Sequence, residues 1–188
     1  MMRPAKHIGL TLALLLMLAA ATRATTLRRM SLDELAEASP AVVRARCISN
    51  VSRWESGHIW TFTEFEVLEN LKGSVAARIQ VRLVGGRVGS LTSTVDGAPR
   101  FALGEEAFLF LVPAPAGDWT VTGWTLGTFR VTREKHSGRE TVTQDAGRVT
   151  LFDPATRQFH PGGVRRMEVR EFRRQLREAM ERNAGRQP

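Results

Sequence analysis

The chain of 188 residues has no tyrosine and a single cysteine, Cys47. One thiol excludes any disulfide within the chain, so folding must rest on core burial. Only three of the 27 basic residues are lysines, which reads as coding bias rather than chemistry. No Gly-Lys-Ser/Thr string follows a glycine-rich turn, no HExxH pair exists and no G-x-S-x-G elbow occurs, which removes phosphate-loop, zinc-protease and serine-hydrolase signatures. Long apolar runs are equally scarce. The 14 residues from Ile8 to Ala21 form the chief one, shorter than the roughly 20 that cross a bilayer as a helix.

That run follows Arg3 and Lys6 and is followed by Ala19, Ala20, Ala21 and Ala24, the layout of a secretory signal cleaved after Ala21 or Ala24. Residues 1–24 are thus expected to be lost, residues 25–163 to form one β domain, and residues 164–188 a basic amphipathic helix and tail. The expected location is exported, periplasmic or extracellular, with no transmembrane segment in the mature form. Removing Arg3, Lys6 and Arg23 from 27 basic residues leaves 24 against 19 acids, net +5. From Val164 to Arg186 eight arginines face four glutamates, so the tail holds +4 of this excess. A global basic field that would steer nucleic acid is absent, and specific nucleic-acid binding is not expected.

Ser31 with Glu34 three residues on predicts a capping box that opens a short helix, which Pro40 ends. Val43, Ala45, Cys47 and Val51 alternate with Arg44, Arg46 and Asn50, a half-buried strand from Ala41 to Trp54. Ser56-Gly57 is its turn, and Ile59 to Leu68 returns with Ile59, Thr61, Thr63, Phe65 and Val67 on one face and Trp60, Phe62, Glu64 and Glu66 on the other. A third strand runs from Ile79 to Val84. Arg87 to Arg100 reads as a long loop with a short strand at Leu91 to Val95. Ala107 to Val112, wholly apolar, predicts a central strand buried on both faces. Strands at Trp119 to Trp124, Thr128 to Thr132 and Glu140 to Gln144 follow. Val169, Phe172, Leu176 and Ala179 or Met180 then mark one stripe of a helix, after a flexible hinge at Pro161-Gly162-Gly163.

Met30 to Leu35, Ser39 to Trp54 and Phe65 to Gly73, with its Leu71-Lys72-Gly73 ending, resemble a widespread group of exported bacterial domains of unknown function. Pro99 to Leu111 and Gly127 to Val131 extend the resemblance. More distantly the order is similar to netrin-like domains and tissue inhibitors of metalloproteinases. The resemblance implies a mainly β fold: an OB-like, netrin-like closed β-barrel of five to six strands with a short N-terminal helix and an amphipathic C-terminal helix. Those inhibitors chelate zinc through a terminal cysteine, and none stands near this mature start, so inhibition is not carried across.

His58, His136 and His160 fall in turns without metal spacing, Cys47 sits on an inward strand face, and Glu105 and Glu106 are adjacent and point apart. No catalytic residue, metal or cofactor is expected. The four tryptophans divide between core and surface. Trp54, His58 and Trp60 at the first hairpin, with Arg87 on the glycine-rich loop, form the candidate binding surface, for stacking and anion contact. The function expected is a non-enzymatic binding or interaction module for an unknown protein or polymer in the cell envelope or outside. The alternatives are a hydrolase or accessory domain of a secreted protease system, and an envelope polyanion binder acting through the arginine-rich C-terminal helix.

Overall fold

The computed structural model describes residues 26–148, 150–153, 156–161 and 163–185; the secretory signal expected at 1–24 and Gly162 of the expected hinge lie outside them. The fold is mainly β. Strands are β1 (Thr26–Arg28), β2 (Ala41–Glu55), β3 (His58–Lys72), β4 (Arg78–Val84), β5 (Gly86–Val88), β6 (Leu91–Ser93), β7 (Glu106–Pro113), β8 (Trp119–Val121), β9 (Thr128–Arg133), β10 (Glu140–Gln144), β11 (Thr150–Asp153), β12 (Gln158–Pro161) and β13 (Met167–Glu168). Helices are α1 (Leu32–Ala38) and α2 (Val169–Ala184).

An eight-stranded sheet runs β13-β10-β9-β7-β2-β3-β4-β8, and a further pairing of β8 with β7 closes five of these strands into a ring. The seam between β4 and β8 is thin, a single parallel partnership of Val81 with Trp119. Alternation along the strands supplies two cores. Ala41, Val43, Ala45, Cys47, Phe65, Val81, Leu109 and Val121, drawn from all five ring strands, fill the ring. Phe108, Phe110, Phe129, Phe172 and Leu176 pack outside it, beneath the helices. β7 serves both, its Ala107, Leu109 and Leu111 facing in and its Phe108 and Phe110 facing out, as the apolar run predicts.

α1 begins at the predicted capping box: Glu34 N donates to Ser31 Oγ at 3.2 Å and Ser31 N to the Glu34 carboxylate at 2.7 Å. Its last turn holds no basic residue of its own. Lys72 supplies one from β3, Nζ donating to the Ala36 carbonyl at 2.6 Å. The next residue, Gly73, turns at φ 69°, and a Cβ there would lie 2.5 Å from the Pro40 carbonyl oxygen. The Lys-Gly pair therefore fastens the end of the hairpin to the end of the helix.

α2 buries its predicted stripe, Val169, Phe172, Leu176 and Ala179. Its charged side pairs both within the helix and with other elements. Arg174 reaches Glu171 and Glu178, each at 2.6 Å, but Arg182 turns to Asp33 of α1 at 2.7 Å and Glu168 pairs with Arg139.

Several expectations need correction. Val51 is 55% exposed rather than inward, because a register shift between Cys47 and Ser49 inserts one residue and reverses the alternation of β2 beyond it. The short strand expected at Leu91 to Val95 is β6, ending at Ser93, and it has a partner the sequence did not suggest, β5, with which it forms a hairpin. The strand expected over Trp119 to Trp124 stops at Val121, since Gly123 and Trp124 both adopt positive φ and a single-turn helix follows. After β10 the sequence suggests only a helix, yet β11 and β12 join β1 in a separate three-stranded sheet. The expected hinge is tied down at its far side: Gly163 packs on Gln144, and Gln144 N donates to the Val164 carbonyl at 2.8 Å.

Candidate binding cleft

The tight β2–β3 turn places Ser56 and Gly57 at φ 51° and 80°, so the hairpin partners are fixed: Glu55 with His58, Arg53 with Trp60, Val51 with Phe62. Directly paired residues share a face. His58, Trp60 and Phe62 therefore lie on the outer side of the ring, while Trp54 pairs with Ile59 on the opposite side. Trp54 is 51% exposed. The expected tryptophan pair is split by the parity of the two-residue turn, which sets Trp54 opposite Ile59 and Trp60 opposite Arg53.

What the outer face builds instead is a ladder of guanidinium and aromatic groups. Arg53 Cζ lies 3.7 Å from the Phe62 ring centre; Arg82, opposite Phe62 on β4, lies 5.6 Å from that centre and 4.1 Å from that of Trp60. At these separations the cations interact favourably with the ring faces. Arg82 also donates to Glu55 at 3.2 Å. Two donors of the ladder, Trp60 Nε1 and Arg82 Nε, are buried with no acceptor among the described residues.

Trp60 and Arg82 form one wall of a cleft of about 350 Å³. Val84, Pro99, Pro115 and Trp124 are among the rest of the lining. Trp124 has no place in the sequence reading of the site. Its signal was Gly123, a glycine inside an apparent strand, which marks the break that swings the next side chain toward Trp60. Trp119, by contrast, packs against the ring core.

Arg87 lies elsewhere. It lines an adjoining opening of about 290 Å³ with Asn50, Ser52, Thr61 and Arg100, and Leu83, Val84 and Pro99 belong to both openings. Gly86 closes its floor so tightly that a Cβ would fall 2.4 Å from both Ser52 Oγ and Thr61 Oγ1. The polar groups here are satisfied locally: Thr61 Oγ1 donates to the Gly85 carbonyl at 2.7 Å, and Arg87 Nε to that of Gly89 at 3.1 Å. The structure thus brings His58 and Trp60 to one face and leaves Trp54 and Arg87 off it.

Cys47 lies 1% exposed in the ring core, as its alternation predicts. Asn50 Nδ2 donates to Sγ at 3.4 Å, and burial pushes the thiol's pKa up. An un-ionised thiol in an apolar cage is a poor nucleophile. Among the described residues no three His, Cys, Asp or Glu side chains converge to hold a metal, and no helix is long and apolar enough to cross a membrane. The cleft offers apolar and aromatic stacking surface. Neither a protein-family model nor a curated protein matches the chain.

Proposed function

We propose that the protein is an exported, non-enzymatic binding module built on an OB-like, netrin-like β-barrel, and that it engages a protein or polymer of the cell envelope or exterior through the cleft between Trp60 and Trp124. The five-strand ring with helices packed outside supports the barrel reading. The observation that carries the binding reading is an apolar cleft walled by two tryptophans, Trp60 and Trp124, with Trp60 Nε1 and Arg82 Nε buried behind its wall and without an acceptor among the described residues. Buried polar groups are nearly always paired, so a small shift of this wall that opens either donor is favoured by a ligand acceptor that completes its bond.

The test is recovery of whatever co-purifies with the native exported protein, identified by mass spectrometry, from wild type, Trp60→Ala and Trp124→Ala. Loss of a specific partner in both variants, with circular dichroism unchanged, supports the reading. A partner retained in both while stability falls makes the tryptophans packing residues and removes the site. Robust turnover in a hydrolase screen with and without added zinc, abolished by a point substitution, would replace the binding module with an enzyme.

A further inference from the structure

A third opening, of about 600 Å³, lies at the start of α2 and is lined by Arg133, Arg139, Arg170 and Arg173. Topology gathers them. Arg133 ends β9, Arg139 precedes β10, and the pairing of β13 with β10 delivers the chain into α2 beside that turn, where Arg170 and Arg173 occupy the first two helical turns.

The carboxylates in the lining are already engaged. Glu140 accepts from Arg133 at 2.6 Å and, from behind, from Arg44 at 2.8 Å; Glu168 meets Arg139 at 3.2 Å. Four guanidinium groups against Glu140 and Glu168 leave the lining at net +2. Arg170 has no ion pair among the described residues. Arg173 reaches Glu69 with one nitrogen, while its Nε is buried without an acceptor among the described residues. Glu168 stands at the N-cap of α2 but makes no side-chain capping bond, and Glu171 is the acidic residue of the first turn.

We propose that this arginine cleft binds a tetrahedral oxyanion, a phosphate or sulfate group. Guanidinium forks from opposite walls match such a group with charge-assisted bonds, which surplus positive charge in a concave site favours. The site is independent of the tryptophan cleft, and Trp60→Ala leaves it intact.

The probes are inorganic phosphate and inorganic sulfate, titrated into the full mature protein at fixed ionic strength against sodium chloride and followed by amide NMR shifts. Saturable changes confined to residues 137–139 and 168–171 are expected. In the double variant Arg139→Glu/Arg170→Glu affinity falls at least about tenfold, whereas Arg87→Glu titrates like wild type. Vesicles with and without phosphatidylglycerol identify the carrier. Vesicle binding that needs the same two arginines assigns a lipid headgroup, and phosphate binding without it assigns a soluble oxyanion. Shifts no larger than those from chloride, or equal binding by the folded double variant, overturn the proposal.

Discussion

Arg44 on β2 donates to Glu140 on β10 at 2.8 Å, across the two strands that lie between them in the sheet. The same guanidinium donates to Glu106 at 2.7 Å, and its side chain is only 11% exposed. Arg46 extends the chain of charges to Glu106, and Arg133 closes on Glu140.

This network sets the acid sensitivity of the fold. The Arg44 hydrogen bond, followed by that from Arg133, holds the Glu140 pKa down to about 2 from an ordinary 4.5. A carboxylate with a lowered folded pKa stabilises fully above its unfolded value and loses that contribution as pH falls toward the folded one. The urea midpoint of wild type should therefore drop between about pH 4.5 and 2, and that of Glu140→Gln should drop less over the same window. Parallel curves would show that the Glu140 bridges do not govern the acid limb.

Docking of α2 depends on Phe172, whose ring centre lies 5.0 Å from that of Phe108 and 4.8 Å from that of Phe129. Phe172→Ala opens a cavity in a filled core, for which a loss of about 3–5 kcal/mol is expected. Denaturant unfolding measures it. A loss below about 1 kcal/mol would mean the helix contributes little to the fold.

The Lys72-Gly73 junction makes two separable predictions. Gly73→Ala combines a left-handed φ with a close approach to the Pro40 carbonyl, and should cost about 1–3 kcal/mol. Lys72→Met removes a charged donor from the end of α1 and should cost about 1 kcal/mol. Thermal melts of the two variants, with Gly57→Ala as a comparison where a Cβ meets nothing within 4 Å, separate crowding from conformational strain.

Cys47 should resist alkylation in the native protein and react at once in denaturant, because burial both hides the thiol and disfavours the thiolate. Mass spectrometry after iodoacetamide treatment reads the difference. Fast native labelling would place Cys47 outside the core.

The elements visible in the sequence were those whose pattern is local. The Ser31 capping box, the hairpin around Ser56-Gly57, the apolar run of β7 and the 169-172-176-179 stripe each need only neighbouring residues to be recognised. The bulge after Cys47 carries no glycine or other marker, yet it decides that Val51 turns outward and that Trp54 leaves the face of Arg44 and Arg46. β11 and β12 escaped because Thr150 to Asp153 and Gln158 to Pro161 are too short and mixed to show alternation. The ladder of Arg53, Phe62, Arg82 and Trp60 and the bridges of Arg44 join strands far apart in the chain, and no spacing rule links their members. Trp124 belongs to the cleft only because Gly123 breaks the strand.

β7 leaves the molecule no line of cleavage. Phe108 and Phe110 on one side and Leu109 and Leu111 on the other are the same few peptide units, so peeling away the helices would strip one face of a strand whose other face still holds the ring shut. Loss of either layer uncovers one face of β7, so the two layers are expected to unfold together.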